Sequence, residues 1–479
     1  MALDYDSLAQ IFMWLSIPDR IVMENVCHKW KEACQRSWYD IKEYQCGVSI
    51  GDNYKNRLLT QSFVEKVLLR CGVYLKELAL SKVCNSSMII PIVGERCKNL
   101  TKLEFVFDET LRNLNKYKKL QRLTIRFCNL DNIIQDISKK STLVYLDIRG
   151  CWALEKPWIF NDLVNLEHID LLDCWMIEEQ SISNVFPSII GTCKNLKHLE
   201  YTCDYKTSEP EIPLKNWSNV HNLVYLSTCW KITEDFAIKI VNHCKKLKDF
   251  TIRVKSEDAA IIKLTELENL ECLKLHNQEL TKEEIIAISN NCKKLEHLEI
   301  PYCKIPFYPV TLDYLSKLQC LEYLDLSCIG LLQDSTIIFI ANKCKRLKYL
   351  NIEGPNCITE NGFDFLLKLE NLQELAIDCN KAITNNFVEK LKGLRVLNCR
   401  NCINLTDAGI IQVIKNCPDL ERLDLSYINN ITLDTIIAAD LATKNRMNEI
   451  VLHIHISNWT LHETSKSKIE SQWLLVECL

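Results

Sequence analysis

The sequence predicts an α/β solenoid, a long stack of similar units that each contain one short strand and, in many cases, one helix. Three observations predict this fold. The chain has an internal repeat with a period of about 25 residues, many of the units contain a segment with helical spacing, and Gly and Pro number only 11 each among 479 residues. So few turn residues disfavour a β-sandwich or a β-barrel.

The composition excludes several classes of protein. Lys and Arg number 58 against 62 Asp and Glu, so the net charge of −4 gives no reason to expect nucleic-acid or anionic-membrane partners. The N-terminus lacks the basic start and apolar run of a secretory signal, and no apolar stretch approaches the length of a membrane span. We therefore expect the 25 cysteines to be free thiols in a reducing compartment, cytoplasmic and/or nuclear.

The repeated unit reads Cys-x-x-Leu-x-x-Leu-x-Leu, as in Cys97–Phe105 and Cys344–Ile352. Fifteen copies begin between Leu75 and Leu420, and a degenerate copy follows near Ile450. The Leu-x-Leu end alternates in polarity, which predicts a strand with one buried face. After one strand, Thr281 and Glu284 have the spacing of a helix N-terminal capping box. Because one unit cannot bury its apolar face alone, we expect a parallel sheet on a concave face and helices on a convex face.

Cysteines recur at two positions of the unit, before and after the strand. The column before the strand contains Cys71, Cys97, Cys193, Cys244, Cys292, Cys344 and Cys417, and the column after it contains Cys128, Cys151, Cys174, Cys303, Cys328, Cys379 and Cys402. A small thiol packs well in a tight corner. Cys399 and Cys402 form the only Cys-x-x-Cys pair, without a second pair at zinc-finger spacing. We therefore predict structural packing, with no metal and no cofactor.

Cysteine before the strand and a Cys-x-x-Leu-Thr-Asp segment after it, as at Cys402–Asp407, resemble the cysteine-containing subclass of leucine-rich repeats. The resemblance covers residues 71–454 and implies a leucine-rich-repeat solenoid. Residues 455–479 lack the repeat and are predicted to be a C-terminal cap or tail. Residues 46–70 are predicted to be a linker or an incomplete first repeat.

Residues 1–45 do not fit the repeat and predict a module of three short helices. A first apolar set has the spacing of one helix face, Ser16–Asp19 interrupts it, and a second apolar set follows. A unit this small buries too little surface to be stable by itself, so we expect it to complete its core against a partner.

This segment is similar to the F-box motif, which binds the adaptor subunit of SCF (cullin–RING) ubiquitin ligases. The resemblance implies adaptor contacts at Leu8, Ile11, Phe12, Leu15, Val26, Cys27 and Trp30. One departure is Leu3-Asp4, which stands where the family usually begins with Leu-Pro. The alternative is a helical cap over the first repeat, which every solenoid end requires.

Side chains beside the strand leucines are predicted to point to the concave face. Candidate target-binding residues on that face are Arg126, Tyr145, Asp147, Arg149, His168, Asp170, His198, Glu200, Tyr225, His297, Glu299, Tyr323, Asp325 and Tyr349. The residue between the two leucines of each Leu-x-Leu strand, such as Asp147 or Asp170, is mostly acidic or neutral along the repeats. This predicts a target segment with basic residues. The alternative is that these side chains only form cross-strand ladders that solvate the sheet.

The chain has no phosphate loop, dinucleotide fingerprint or His-Glu-x-x-His motif, so we expect a non-catalytic protein that acts by binding. The leading hypothesis is a substrate-recognition subunit of an SCF-type ubiquitin ligase. Its partners would be the adaptor, through it the cullin and RING subunits, and an unidentified protein target marked for proteasomal degradation. The alternatives are a repeat scaffold without a ubiquitination role and an enzyme with a non-local site.

Overall fold

The computed structural model describes residues 3–51, 54–81, 86–106, 114–131, 133–152, 157–174, 179–201, 210–305, 310–330, 332–354, 357–444 and 446–478. The chain divides into two compact units, unit 1 at residues 1–229 and unit 2 at residues 230–479. Each is described by itself.

Unit 1 contains a parallel sheet in which each described strand pairs with the next along the chain. The strands are β1 (Glu43–Gln45), β2 (Glu77–Leu80), β3 (Lys102–Val106), β4 (Arg122–Arg126), β5 (Tyr145–Asp147), β6 (His168–Leu171), β7 (His198–Tyr201) and β8 (Tyr225–Thr228). The helices are α1 (Tyr5–Met13), α2 (Ile17–Met23), α3 (His28–Ser37), α4 (Gln61–Cys71), α5 (Ser86–Arg96), α6 (Ile134–Ser138) and α7 (Glu179–Thr192). Short 3-10 helices span Trp38–Asp40, Leu114–Lys116, Pro157–Phe160 and Leu214–Val220.

Unit 2 repeats the same alternation of strand and helix, again with parallel pairing of successive strands. The strands are β9 (Asp249–Ile252), β10 (Cys272–Leu275), β11 (His297–Glu299), β12 (Tyr323–Asp325), β13 (Tyr349–Asn351), β14 (Glu374–Ala376), β15 (Val396–Asn398), β16 (Arg422–Asp424), β17 (Leu452–Ile456) and β18 (Leu474–Cys478). The helices are α8 (Glu234–His243), α9 (Asp258–Leu264), α10 (Lys282–Asn291), α11 (Asp334–Lys343), α12 (Glu360–Leu366), α13 (Asn385–Val388), α14 (Asp407–Asn416), α15 (Leu433–Thr443) and α16 (Trp459–Lys466), with a 3-10 helix at Leu312–Lys317.

The repeated leucines form the core of each unit. Leu298 of β11 and Leu324 of β12 are opposite one another in the parallel register, and both are fully buried. The predicted capping box is present, because the Thr281 hydroxyl accepts from the Glu284 amide and the Glu284 carboxylate accepts from the Thr281 amide. The predicted fold class, an α/β leucine-rich-repeat architecture, is confirmed.

Thiols of both cysteine columns lie in the core and bridge neighbouring repeats. Cys174 Sγ donates to the Ile148 carbonyl oxygen at 3.0 Å, one repeat earlier, and Cys402 Sγ donates to the Ile377 carbonyl oxygen at 3.3 Å. In the column before the strand, Cys193 Sγ makes the same kind of contact with Leu163 at 3.5 Å. These cysteines therefore have a packing role.

Two cysteines were assigned to the wrong position. Cys328 and Cys379 have positive φ angles of 58° and 61°, the left-handed conformation at the turn after the strand. Neither is fully buried, and Cys379 is exposed. The corner position one residue after Cys328 is occupied by Ile329, which is buried. One residue of register thus separates a core thiol from a surface thiol.

Both ends of the repeat region differ from the predicted boundaries. At the N-terminal end, β1 lies inside the segment assigned to the helical module. Helix α4 follows it, which agrees with the alternative of an incomplete first repeat at residues 46–70. At the C-terminal end, the predicted cap or tail contains α16 and β18, and β18 pairs with β17 over five residues. The strand-and-helix succession therefore extends beyond residue 454.

Candidate protein-binding sites

The N-terminal module begins with well-capped helices. Asp4 caps α1, since its side chain accepts from the Ser7 amide at 2.7 Å. Ser16 caps α2, and Pro18 occupies an early position in that helix, where its missing amide hydrogen costs nothing. The residue that departs from the F-box pattern, Asp4, thus has a structural role as the first helix cap.

Arg20 is the central polar residue of the module, and the sequence analysis did not identify it. Its side chain is 2% exposed and forms a bidentate ion pair with Asp40 at 2.6 and 2.7 Å. The same guanidinium donates to the carbonyl oxygens of Met13 at 2.6 Å, Leu15 at 3.0 Å and Ser37 at 3.1 Å. These carbonyls lie at the ends of α1 and α3, so one side chain fixes the arrangement of all three helices.

A second buried charge joins the module to the first repeat. The Glu24 carboxylate accepts from Trp38 Nε1 at 2.9 Å and from Arg70 Nε at 2.8 Å, and Arg70 belongs to α4. The Tyr54 hydroxyl also donates to Asp19. The module is therefore attached to the repeats of unit 1 by directional contacts, which agrees with the alternative role of a helical cap.

The seven predicted adaptor contacts divide into three groups. Leu8 and Phe12 are only 7% and 3% exposed and form the module's own core with Ala33 and Cys34. Leu15 and Trp30 are partly buried against that core, and the rings of Phe12 and Trp30 lie in contact with centroids 5.3 Å apart and planes tilted by 59°. Ile11, Val26 and Cys27 are exposed. Leu8 and Phe12 are therefore core residues in the chain alone, and adaptor contact at the seven positions stays a prediction.

The structure adds three exposed apolar residues that the sequence analysis did not single out as contacts. Trp14 is 91% exposed, and Leu3 and Val22 are about half exposed. We call Leu3, Ile11, Trp14, Val22 and Val26 the exposed apolar set. Its members lie around α1 and α2. Trp14 stands three residues after Ile11, the spacing at which helical side chains share a side, and this spacing was the available signal.

On the open face of the unit 1 sheet, four rings stack in a row. Tyr145, His168, His198 and Tyr225 follow one another with centroid distances of 4.2, 3.9 and 4.0 Å and nearly parallel planes. Arg122 lies over the Tyr145 ring at 4.4 Å. Burial lowers the pKa of His168 and of His198 to about 4, so both imidazoles are neutral at pH 7. The row is an uncharged aromatic surface.

The acidic residues beside this row are not free to contact a partner. Asp147, Asp170 and Glu200 are buried. Arg149 pairs with Asp147 at 2.7 Å and with Asp170 at 3.2 Å, and Arg126 pairs with Asp147 at 3.4 Å. Asp147 and Asp170 therefore do not present free carboxylates to solvent, because Arg126 and Arg149 cover and neutralise them. That the target segment carries basic residues stays a prediction.

Unit 2 carries a shorter row of stacked rings on its sheet. His297, Tyr323 and Tyr349 stack at 3.9 and 3.8 Å, and an open cavity of about 390 Å³ lies over them. Burial raises the pKa of Glu299, but hydrogen bonds from His297 and Lys274 outweigh it and bring that pKa to about 2. Asp325 is partly exposed and accepts from the Ser327 amide at 2.8 Å.

The described geometry suits binding. Rigid rows of aromatic side chains on a sheet offer contact area at low entropic cost. Within the described ranges, we find neither a group of three or more His, Cys, Asp or Glu side chains placed to hold a metal ion nor a helix with the length and apolar character of a membrane crossing.

Together, the fold and these sites define an α/β leucine-rich-repeat protein with an N-terminal three-helix module. The chain is similar to F-box/LRR-repeat protein 4 of Bos taurus, with 26% identity over 150 residues, covering 25% of this chain and 24% of the relative. It is also similar to F-box/TPR repeat protein pof3 of Schizosaccharomyces pombe, with 26% identity over 131 residues, covering 26% of this chain and 22% of the relative. These relatives support the predicted resemblance to F-box/leucine-rich-repeat proteins.

The chain spans about a quarter of the length of these curated relatives. No family model matches it. Among solved structures, an internalin (InlF) of Listeria monocytogenes aligns with a TM-score of 0.46 and 21% identity, covering 67% of this chain and 86% of that one.

Proposed function

We propose that this protein is the substrate-recognition subunit of an SCF-type ubiquitin ligase. The observation that carries the proposal is the exposed apolar set on a capped three-helix module at the N-terminus of a repeat protein. The two similar proteins are named as F-box proteins with repeats, which supports the same assignment.

The energetics favour a protein partner for this module. Complete burial of a large apolar side chain contributes about 1.5–3 kcal/mol. Trp14 is 91% exposed and the rest of the exposed apolar set is about half exposed, so an adaptor that covers several of these side chains gains a substantial part of a typical binding free energy. Leu8 and Phe12 contribute indirectly, because they position α1 from the core.

The sheet faces are the proposed target-binding surfaces. The stacked rings of unit 1 and of unit 2 would contact the target, and the chain itself would perform no chemistry. A target held in this way meets the ubiquitin-transfer machinery at high effective concentration, which is catalysis by proximity. We further propose that the protein works in a reducing compartment, cytoplasmic or nuclear, since the 23 described cysteines are all free thiols.

The test is co-purification with the adaptor and the cullin from cells that express a tagged chain. The variants Trp14→Asp and Val22→Asp are expected to lose both subunits, because a carboxylate cannot be buried in an apolar interface without a partner. Leu214→Asp is the matched control, since Leu214 is 78% exposed but lies outside the module. It is expected to retain both.

Two results would count against the proposal. If the wild-type chain captures neither subunit, the ligase proposal is wrong and the scaffold alternative is favoured. If Trp14→Asp and Leu214→Asp retain the adaptor equally, the exposed apolar set is not the adaptor-binding surface. Circular dichroism of each variant, compared with wild type, separates loss of binding from loss of folding.

A further inference from the structure

Helix α15 of unit 2 is apolar on nearly all sides. Its sequence from Leu433 to Thr443 contains only two charged residues, Asp434 and Asp440. One side, including Ile436 and Ala439, is buried in the repeat core. The opposite side carries the exposed Asp434 in its first turn but is apolar further along, where Ile437 is 40% and Leu441 is 65% exposed. Such a helix is normally covered all round, so this outer side lacks a cover.

A groove runs beside this exposed side, between the end of α14 and the end of α15. Its volume is about 520 Å³, and its apolar walls are Ile414, Pro418, Ala442 and Met447. Met447 is 95% exposed, and Leu441 directly precedes Ala442 in the chain. The groove therefore continues the apolar side of α15 and lies on the helix side of the repeats, away from the stacked rings.

Two cations border the groove without an ion-pair partner among the described residues. Arg446 Nη1 donates to the carbonyl oxygens of Leu420 at 2.9 Å and Ile450 at 3.0 Å, while its Nε is buried without a partner. The neighbouring carboxylate of Asp419 accepts from Asn448 instead, at 2.7 Å. Burial lowers the pKa of Arg446, and the nearby Asp419 carboxylate offsets this only in part. Lys415 is the second cation.

Other cations nearby are compensated. Lys444 pairs with Glu470, and Lys466 pairs with Glu463 at 2.7 Å. The groove thus combines an uncovered apolar surface with two cations, Arg446 and Lys415, that form no ion pair among the described residues. A ligand of complementary chemistry has apolar side chains beside a carboxylate, and an amphipathic helix with acidic residues along its apolar face presents both.

We propose that this groove is a second protein-docking site, for an amphipathic helix of a partner that carries an acidic residue beside its apolar face. The carboxylate pairs with Arg446 and Lys415, while the apolar side chains cover Met447 and Leu441. This site is separate from the exposed apolar set and from both rows of stacked rings, so it does not depend on the proposed ligase function.

The test measures binding of two designed fluorescent peptides to the full chain by fluorescence anisotropy. Both peptides are amphipathic helices with the same leucine face, one flanked by glutamates and the other by lysines. We expect the acidic peptide to bind at least about tenfold more tightly, a difference of roughly 1.4 kcal/mol. Lys415→Glu and Met447→Asp are expected to weaken the acidic peptide about fivefold or more.

Lys343→Glu is the matched control, because Lys343 is exposed at the end of α11 and the charge change is the same. It is expected to leave the affinity unchanged. Equal binding of the two peptides, no binding of the acidic peptide, or equal effects of Lys415→Glu and Lys343→Glu would overturn the proposal. A dimer in analytical ultracentrifugation that Met447→Asp dissociates would also overturn it, since the occupant would then be a second copy of the chain.

Discussion

Replacement of Arg20 by methionine tests whether one buried side chain holds the N-terminal module together. The change removes the bidentate pair with Asp40 and the donors to the carbonyls of Met13, Leu15 and Ser37. Removal of one partner of a buried pair costs about 3–5 kcal/mol, because the other charge is left uncompensated. The Asp40 side chain is 27% exposed, so water recovers part of this cost and we expect a loss of about 3 kcal/mol.

Hydrogen exchange measured by mass spectrometry reports this loss locally. A change of about 3 kcal/mol corresponds to a fall in amide protection of roughly 100-fold, expected in α1 and α3. Arg36→Met is the control, since the Arg36–Asp6 pair, at 2.7 Å, is largely exposed. Exposed pairs contribute less than about 1 kcal/mol, so protection is expected to change little.

The reasoning is refuted if Arg20→Met lowers protection no more than Arg36→Met does. It is also refuted if the strands of unit 2 lose protection to the same extent as α1 and α3. The double variant Arg20→Met, Asp40→Leu provides a further check, because removal of both charges is expected to restore part of the lost protection.

Three further predictions concern titratable groups. Alkylation of the native protein is expected to modify the exposed Cys27, Cys357 and Cys379, whereas Cys174, whose pKa is raised by burial, reacts only after unfolding; peptide mass spectrometry identifies the labelled sites. His168 and His198 are expected to titrate near pH 4 when followed by NMR. Because histidine in the unfolded chain takes up its proton near pH 6.5, the free energy of unfolding falls as the pH drops from 6.5 to 4. Burial, with Glu353 nearby, raises the pKa of Asp378 to about 7, so the free energy of unfolding falls as the pH rises from 4 to 7 and this carboxyl ionises. Asp378→Asn is expected to stabilise the protein at pH 8 and to have little effect at pH 4, as measured by urea unfolding.

The repeat architecture could be predicted because its signal is physical and periodic. Each Leu-x-Leu pair marks a strand whose buried side chains face the same core. The signal fails where the core position is not leucine. Tyr44 of β1 is a buried residue in a strand without that pattern, and β18 presents Leu474 and Val476 without the preceding repeat consensus. Both ends were therefore assigned to other segments.

The candidate sites were predicted less completely, because a sequence pattern identifies a helix face but not what covers it. Leu8, Ile11 and Phe12 share one apolar stripe, and packing against α3 determines that Ile11 remains exposed. The carboxylate of Asp147 is on the expected face of the sheet, but Arg126 from the neighbouring strand and Arg149, two residues further along the chain, bury it. Contacts between residues distant in sequence, such as Arg20 with Asp40, leave no local pattern.

The hydrogen bonds that the Glu24 carboxylate accepts from Trp38 and Arg70 affect how a bound target would be oriented toward the ubiquitin-transfer machinery. Because these hydrogen bonds fix the three-helix module against α4, a partner bound to the module also fixes the orientation of the first repeat. Within unit 1, a partner bound to the first helices would hold the adjoining strands in a fixed orientation, which a flexible linker would not do. At this junction within unit 1, different target lysines would therefore reach the transfer machinery through flexibility of the captured molecule and not through motion of the module against the first repeat.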